Sequence, residues 1–466
     1  MHEKRPLALI IGGSMAGMLA AQALTQRGYR AHILERDVES SYDHPRPGAP
    51  QGRQLHLLLG GGADAIERLM PGFGERRARR GCVAFDFGTG VCWRHYGVRK
   101  VDAHLDLPLF AGTRPHLEGI VREMLGENPA VRFEPGVSVV GMTYDQKRIT
   151  GLRVLRGDAL GETIMEADLV IDASGRNSRA HRWLECLGTR SIPVEEQRLD
   201  LGYASVMLEL PPDAPIEAPA TLTLHYPSRP DSHRNVLVAK VEGGRYQMSA
   251  MGYAKDFPPN EEAALRDWVA SIGDPQVDAL LRHARFAGPI RAHRTPHQLR
   301  RRYDRVRIPQ GFLPIGDAIT SFDPVFGQGM TVAAMQAATL LRGSGRVDTQ
   351  VAVREFMKVT RVPWMITNIE ASRFEHTGPT PAWHRPVHRI LDRVFRASGN
   401  SVPVYRAFMQ FMHLQRGFGA FAKFSVLRDL VRFGGAKPQA DALSRSPNVV
   451  AYETDPNPSA SATMVA

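Results

Sequence analysis

Within the first 35 residues the spacing of hydrophobic positions changes character three times. Leu7 to Ile11 is an unbroken apolar run, the pattern of a short strand buried on both faces. It stops at Gly12-Gly13-Ser14-Met15-Ala16-Gly17, after which Ala16, Leu19, Ala20 and Ala23 recur at helical spacing and Gly28 stands where such a helix ends. A second strand pattern runs from Tyr29 to Leu34 and finishes on Glu35, 23 residues after Gly12. The order predicted is strand, glycine turn, helix, strand, acid.

That order decides between readings that length leaves open. Leu7 to Leu24 is 18 residues without a charge, and as a helix it would span about 27 Å against the roughly 30 Å of a bilayer core. With His2, Lys4 and Arg5 ahead of it, the segment also imitates a signal peptide. Neither reading explains a strand pattern broken by glycines. A dinucleotide site does: glycines allow the turn and the close backbone approach, the helix N-terminus faces the pyrophosphate, and the acid bonds a ribose hydroxyl. Ser14 replaces the second glycine of G-x-G-x-x-G and brings a hydroxyl that can donate to phosphate.

Two later stretches have related patterns. Asp168 to Ala173 reads as a buried strand followed by a small-residue turn and Arg176-Asn177-Ser178-Arg179. Residues 311 to 330 lead into a helical run from Thr331 to Arg342 that stops at Gly343-Ser344-Gly345. Between them, residues 201–210, 220–226 and 235–253 read as an antiparallel sheet, with Gly243-Gly244 as a two-residue hairpin turn. After residue 346 the pattern turns helical. Val387, Ile390, Leu391 and Val394 are expected on one buried face, and an aromatic and methionine-rich run extends from Val404 to Phe433. This region reads as packing on the core, as an adaptable wall for a long apolar substrate, or as basic amphipathic helices touching a membrane surface. Residues 437–466, rich in Ser, Ala, Pro and Asn, read as a disordered tail.

Composition narrows the classes. A chain of 466 residues, 43% hydrophobic, can bury a large core. Its net charge of +11 is spread over separated clusters, Arg76, Arg77, Arg79 and Arg80 and then Arg300 to Arg302, with no nucleic-acid module beside them; a solvated basic surface is the expectation. Cys82, Cys92 and Cys186 match neither a zinc site nor a disulfide framework, which suits a reducing cytoplasm, and no metal site is expected. No Ser-His-Asp arrangement or paired-carboxylate site stands out. Asp323 and His56 are read as a capping carboxylate and a hydrogen-bonded structural histidine.

Taken together, the three glycine-bearing stretches resemble the FAD-binding signature of class A flavoprotein monooxygenases, the group of aromatic hydroxylases and squalene epoxidase-like enzymes. The resemblance implies an α/β fold with a discontinuous Rossmann-like FAD-binding domain from residues 1–75, 107–180 and 300–345. An antiparallel-sheet substrate domain from 76–106 and 181–299 and a C-terminal helical region from 346–436 would complete it. It implies that Gly12, Gly13, Ser14, Met15, Ala16 and Gly17 hold the pyrophosphate, Glu35 and Arg36 the adenosine end, and Asp317 the ribityl chain. Pro324, Gly327, Gln328, Gly329 and Met330 would lie beside the isoalloxazine, Arg53 and Arg114 near the flavin and Val139 against the adenine. Pro324, Phe326 and Gly327 would face the substrate.

By the same resemblance, reduced FAD and O2 would form a C4a-hydroperoxide that transfers one oxygen atom. The remaining segments are similar to bacterial epoxidases of polyether ionophore pathways, of the lasalocid and monensin type, which implies epoxidation of a hydrophobic polyene or polyketide. Aromatic hydroxylation, prenyl-chain reduction and halogenation are the alternatives on this fold; Trp364 and Trp383 do not form the halogenase motif Trp-x-Trp-x-Ile-Pro. Where many hydroxylases have Ala-Asp-Gly, this chain has Asp172-Ala173-Ser174-Gly175, so NADPH or NADH would deliver electrons either directly or through a separate flavin reductase.

Overall fold

A computed structural model describes residues 5–38, 45–95, 98–145, 147–157, 161–211, 214, 219–224 and 233–435. The expected tail, residues 437–466, lies outside the described residues.

Five short strands from distant parts of the chain form one parallel sheet, in the spatial order Phe312–Pro314, Leu169–Asp172, Leu7–Ile11, Arg30–Glu35, Val131–Pro135. Their apolar runs are continuous because both faces are covered: Ala8, Leu9 and Ile10 are fully buried. Register brings the strand ends level. Ile11 pairs beside Asp172, Asp172 beside Pro314, and Leu34 beside Ile11, so every glycine-bearing loop leaves the same edge. In open α/β sheets this carboxyl edge is where ligands bind.

Helix Met15–Gln26 follows the first strand directly, and Gly28 at φ +86° turns the chain into the second. The helix packs against its strand at one point that only glycine permits, since a Cβ on Gly17 would sit 2.0 Å from the Gly12 carbonyl oxygen. A three-stranded antiparallel sheet, Val137–Asp145, Arg148–Arg156 and Thr163–Glu166, adds Val137, Ile149, Leu152 and Val154 to the same core.

A second, larger sheet of nine strands is built around Val194–Glu209, which pairs with Arg291–Arg301 on one side and Tyr246–Gly252 on the other. Its alternation is clean. Ala204, Val206, Leu208, Val236 and Val238 face the helices Glu262–Ala270 and Pro275–His283, while Leu201, Tyr203, Ala239 and Met251 face the C-terminal helices. Those helices are His384–Ala397, Val402–Met412 and Phe424–Phe433. All three cysteines are free. Among the described residues no helix is long and apolar enough to cross a membrane.

Two expectations need correction. The 235–253 hairpin reverses through a 3-10 turn of three residues, Glu242–Gly244, rather than a two-residue turn at Gly243-Gly244. Both glycines have positive φ, and the longer turn lets Glu242 accept from the N–H and the hydroxyl of Thr113, at 2.9 and 2.7 Å. In helix His384–Ala397 the buried residues include His384, Val394, Phe395 and Ala397; of the expected face, Val387 and Leu391 are half-buried, while Ile390, at its edge, is 60% exposed.

Gly17→Ala is expected to cost roughly 3 kcal/mol or more by forcing helix from strand, as read by denaturant unfolding. Gly126→Ala, at a helical site where a Cβ meets nothing within 4 Å, is the control and should be neutral or slightly stabilising.

Candidate functional site

The first loop is an anion cradle assembled from backbone. Gly12 adopts φ +101° and donates its N–H to the Leu34 carbonyl at 2.8 Å; a Cβ there would lie 2.7 Å from the Ala173 carbonyl oxygen. Gly13 donates its N–H to Glu35 Oε2 at 2.9 Å. Ser14 is the N-cap of the helix but makes no side-chain cap bond, and the first turn carries no acid; the Met15 N–H donates to Glu118 Oε1 at 3.4 Å, which leaves the neighbouring N–H groups of the helix start to an incoming anion. The Ser14 hydroxyl accepts from Arg46 at 2.8 Å, which leaves its own proton to donate.

Arg46 is the residue that sequence reasoning missed. Buried, it donates to Glu35 Oε2 at 2.9 Å, to Ser14 and to Glu118 Oε2 at 3.3 Å, while Glu118 Oε1 accepts from Arg114 Nε at 3.0 Å. Its only sequence signal is a position between two prolines. Burial on its own would raise the Glu35 pKa. Hydrogen bonds from the Asp37 and Gly13 N–H groups, with the Arg46 guanidinium, outweigh it and hold Glu35 below the usual carboxylate range, ionised.

The second and third loops meet the first. Asp172, which the sequence places early relative to its turn, is buried and spends its carboxylate on the turn itself, accepting from the Ser174 N–H, the Ser174 hydroxyl and the Ser178 hydroxyl. Arg301 ties the Arg176 carbonyl to the Ala318 carbonyl, at 2.8 and 3.0 Å, so the second turn is strapped to the third. Gly316, at φ +64°, lies so near Ala16 that a Cβ there would be 2.9 Å from the alanine methyl. Asp317 follows it, half-buried. Among the described residues nothing donates a hydrogen bond to its carboxylate, which burial raises in pKa while Arg114, Arg176 and Arg301 pull the other way.

Helix Gly329–Thr339 begins behind the turn at Gly327, φ +65°, with Gln328 as an N-cap that makes no side-chain cap bond and no acid in its first turn. Gln328 is fully buried; its Nε2 donates to the Met412 carbonyl at 3.3 Å, and among the described residues its Oε1 has no partner. Met330 is buried beneath. Of the remaining expected residues, Arg114 opens helix Arg114–Gly126 near Asp317, and Arg53 is half-buried with its carbonyl bound to Gln247 Nε2 at 3.0 Å. Val139 is half-buried opposite Val154, and Arg36 is exposed just past Glu35.

Against the Pro324–Gly327 turn lies a cavity of about 190 Å³, an order of magnitude more than one water needs. Val325, Phe326 and Gly327 form part of one wall. Leu237 and Met251 of the large sheet and Phe395, Phe408, Met409 and Phe411 of the C-terminal helices form other parts of the lining. Polar side chains interrupt this lining: Gln51, Gln54 and His56, then His95, Tyr203, Ser249, His293 and Thr295 of the large sheet, and Glu370 and His413. Both expected roles hold for Asp323 and His56, with an addition. Asp323 caps its 3-10 turn, accepting from Val325 N–H at 3.0 Å and from Tyr253 at 2.7 Å. His56 donates from Nδ1 to the Gln54 carbonyl at 2.8 Å and also faces the cavity. Burial, with Arg114 beside it, pushes the His56 pKa down to about 3, and burial pushes His413 down to about 4, so both are neutral at ordinary pH.

These features fit FAD. The glycine turn and the open start of helix Met15–Gln26 suit a pyrophosphate, Glu35 a ribose, and the unpartnered Asp317 carboxylate a polyol chain. The uncapped start of helix Gly329–Thr339, beside the cavity, suits the electron-rich edge of a flavin ring.

Comparison with known proteins agrees. The profile of a family described as "FAD binding domain" matches residues 7–349. Protein Rv3254 of Mycobacterium tuberculosis is 28% identical over 416 residues, 84% of this chain and 86% of the relative. Kynurenine 3-monooxygenase of Salinispora tropica is 25% identical over 347 residues, 72% of this chain and 71% of the relative. Among solved structures, p-nitrophenol 4-monooxygenase PnpA of Pseudomonas putida superposes with a TM-score of 0.61 at 17% identity, covering 89% of this chain and 99% of that one, a likeness of fold.

Two measurements test the site. Arg46→Ala leaves Glu35 and Glu118 buried without their shared cation; a loss of roughly 3 to 5 kcal/mol in unfolding free energy is expected, together with release of bound flavin on gel filtration. Burial, opposed by the bonds from Tyr253 and Val325, raises the Asp323 pKa from 3.8 to about 6. A raised acid stabilises the fold fully below its unfolded pKa, and that contribution is lost as pH climbs through the folded value. Asp323→Asn, which keeps the cap, should therefore gain on the wild type between pH 4 and pH 7 by up to roughly 3 kcal/mol. Parallel pH dependences of the two unfolding curves would contradict this.

Proposed function

The chain belongs to the FAD binding domain family, and from that membership we propose that it is an FAD-dependent monooxygenase that inserts one atom of O2 into a hydrophobic small molecule. The favoured reaction is epoxidation of an unsaturated, polyene-like or polyketide chain. The observation that carries the reading is the apolar cavity against the Pro324–Gly327 turn, walled by aromatic and methionine side chains that adapt to an irregular substrate.

Bound flavin, once reduced, supplies the activation of O2. The chain does the rest. Glu35, Arg46 and the open helix starts would hold the cofactor's anionic and ribose portions, Asp317 its polyol, and Gln328 fastens the flavin-side turn to Met412. The C-terminal helices wall the cavity with apolar side chains, which would limit water there and lengthen the life of any reactive oxygen species formed. His56 and His413, held neutral, are poor bases at pH 7. That favours an alkene, which supplies its own electrons, over a phenol that must lose a proton. A second reading, aromatic hydroxylation, is favoured by the names of two relatives, kynurenine 3-monooxygenase and p-nitrophenol 4-monooxygenase.

The electron donor would be NADPH or NADH. Asp172 is fully engaged by its own turn, which supports delivery through a separate flavin reductase. The test is a single-turnover reaction of reduced holoenzyme with ¹⁸O₂ and, in parallel, a linear polyene and a phenol. One labelled oxygen in an epoxide is the expected result; label in the phenol product alone transfers the assignment to hydroxylation, and no label in either ends the monooxygenase reading. Running the NAD(P)H-driven reaction with and without added reductase identifies the donor.

A further inference from the structure

Gln54, Leu55 and His56 form a strap between the cofactor cradle and the cavity, and the large sheet holds it rigid. Gln54 accepts from the Ser205 hydroxyl and donates to the Arg291 carbonyl at 3.3 Å, while the Leu55 N–H donates to the Ser249 hydroxyl at 3.2 Å. On this strap the His56 Nδ1 lies 2.8 Å from the Gln54 carbonyl oxygen. A carbonyl only accepts, so Nδ1 carries the proton and, in a neutral ring, Nε2 is a bare lone pair. Among the described residues Nε2 has no hydrogen-bond partner and is not sealed from open space, and His56 is one of the residues that line the cavity.

The contrast with His413 is informative. Its Nδ1 accepts from the Gly60 N–H at 3.3 Å, so its proton sits on Nε2, a sealed atom in a ring set edge-on to Phe87 at 5.1 Å between centroids. Unlike His413, His56 presents an unsealed acceptor. It lines the same cavity as Pro324–Gly327, with Arg114, a neighbour of Asp317, close to its ring.

We propose that His56 Nε2 is a substrate-binding acceptor that takes a hydrogen bond from a hydroxyl group, so that the molecule oxidised in this cavity is an unsaturated alcohol with an apolar body rather than a pure hydrocarbon. The proposal rests on the reading of this cavity as the substrate site. An ionised carboxylate is excluded as the group bound at His56, because a lone pair repels it. The hydroxyl keeps its proton; the bond orients the molecule and does not activate it. Fixing one end this way sets which carbon of an otherwise featureless chain lies against the Pro324–Gly327 turn.

The test is equilibrium binding to the FAD-loaded full chain, followed by flavin absorbance and tryptophan fluorescence, with two probes of equal heavy-atom count: 1-octanol, which has a donor, and 1-methoxyheptane, which has none. Wild type should prefer the alcohol by about fivefold or more. His56→Phe should erase that preference by weakening the alcohol alone, and His56→Gln, whose side-chain oxygen accepts, should restore part of it. Equal affinity for both probes in wild type, or a preference that survives His56→Phe in flavin-loaded protein, overturns the proposal while leaving oxygen transfer to be judged by the labelling experiment. If neither probe binds, the cavity is not the substrate site and both readings fall together.

Discussion

Gly17 lies against the Gly12 carbonyl with no room for a side chain between them, and the cofactor cradle depends on that contact. It seats the first helix on the end of the first strand, which aims the helix start along the carboxyl edge of the sheet. The same edge receives Asp172 and Gly316 because parallel strands held in register must finish side by side. Loops some 150 residues apart thus come together through backbone geometry, before any side chain contributes.

Side chains then divide the interior by polarity. On the cradle side, charge is buried in compensated groups: Arg46 among Glu35, Glu118 and Ser14, and Arg301 on two carbonyls. On the cavity side, aromatic and methionine residues dominate, and the histidines there are kept neutral by desolvation. The division falls along the strap that carries His56 and the turn that carries Pro324. Oxygen transfer needs this juxtaposition, with a cofactor held by charge next to a substrate space that excludes water.

How much of this could be read from the chain depends on range. The strand, glycine turn, helix and acid around Gly12 and Glu35 were legible because each is a local pattern, and the α/β class with its parallel and antiparallel sheets followed. Asp317 and the Gly327–Gly329 turn were legible through their glycines. Arg46 was not: its importance comes from Glu118, 72 residues away, and no local pattern announces a long-range ion pair. The hairpin at Gly243-Gly244 misled for a related reason, since two glycines suggest the shortest turn while Glu242 is recruited elsewhere. Ile390 fitted a helical apolar face by spacing alone, but spacing does not reveal how wide a stripe of the helix its neighbours cover.

The link between Glu242 and Thr113 has a mechanical meaning. The tip of a hairpin in the large sheet grips the residue that caps helix Arg114–Gly126, binding both its N–H and its hydroxyl while that hydroxyl also accepts from the His116 N–H. Arg114 is the very next residue. The large sheet is therefore joined, through one carboxylate, to the start of the helix whose Arg114 stands beside both Asp317 and His56.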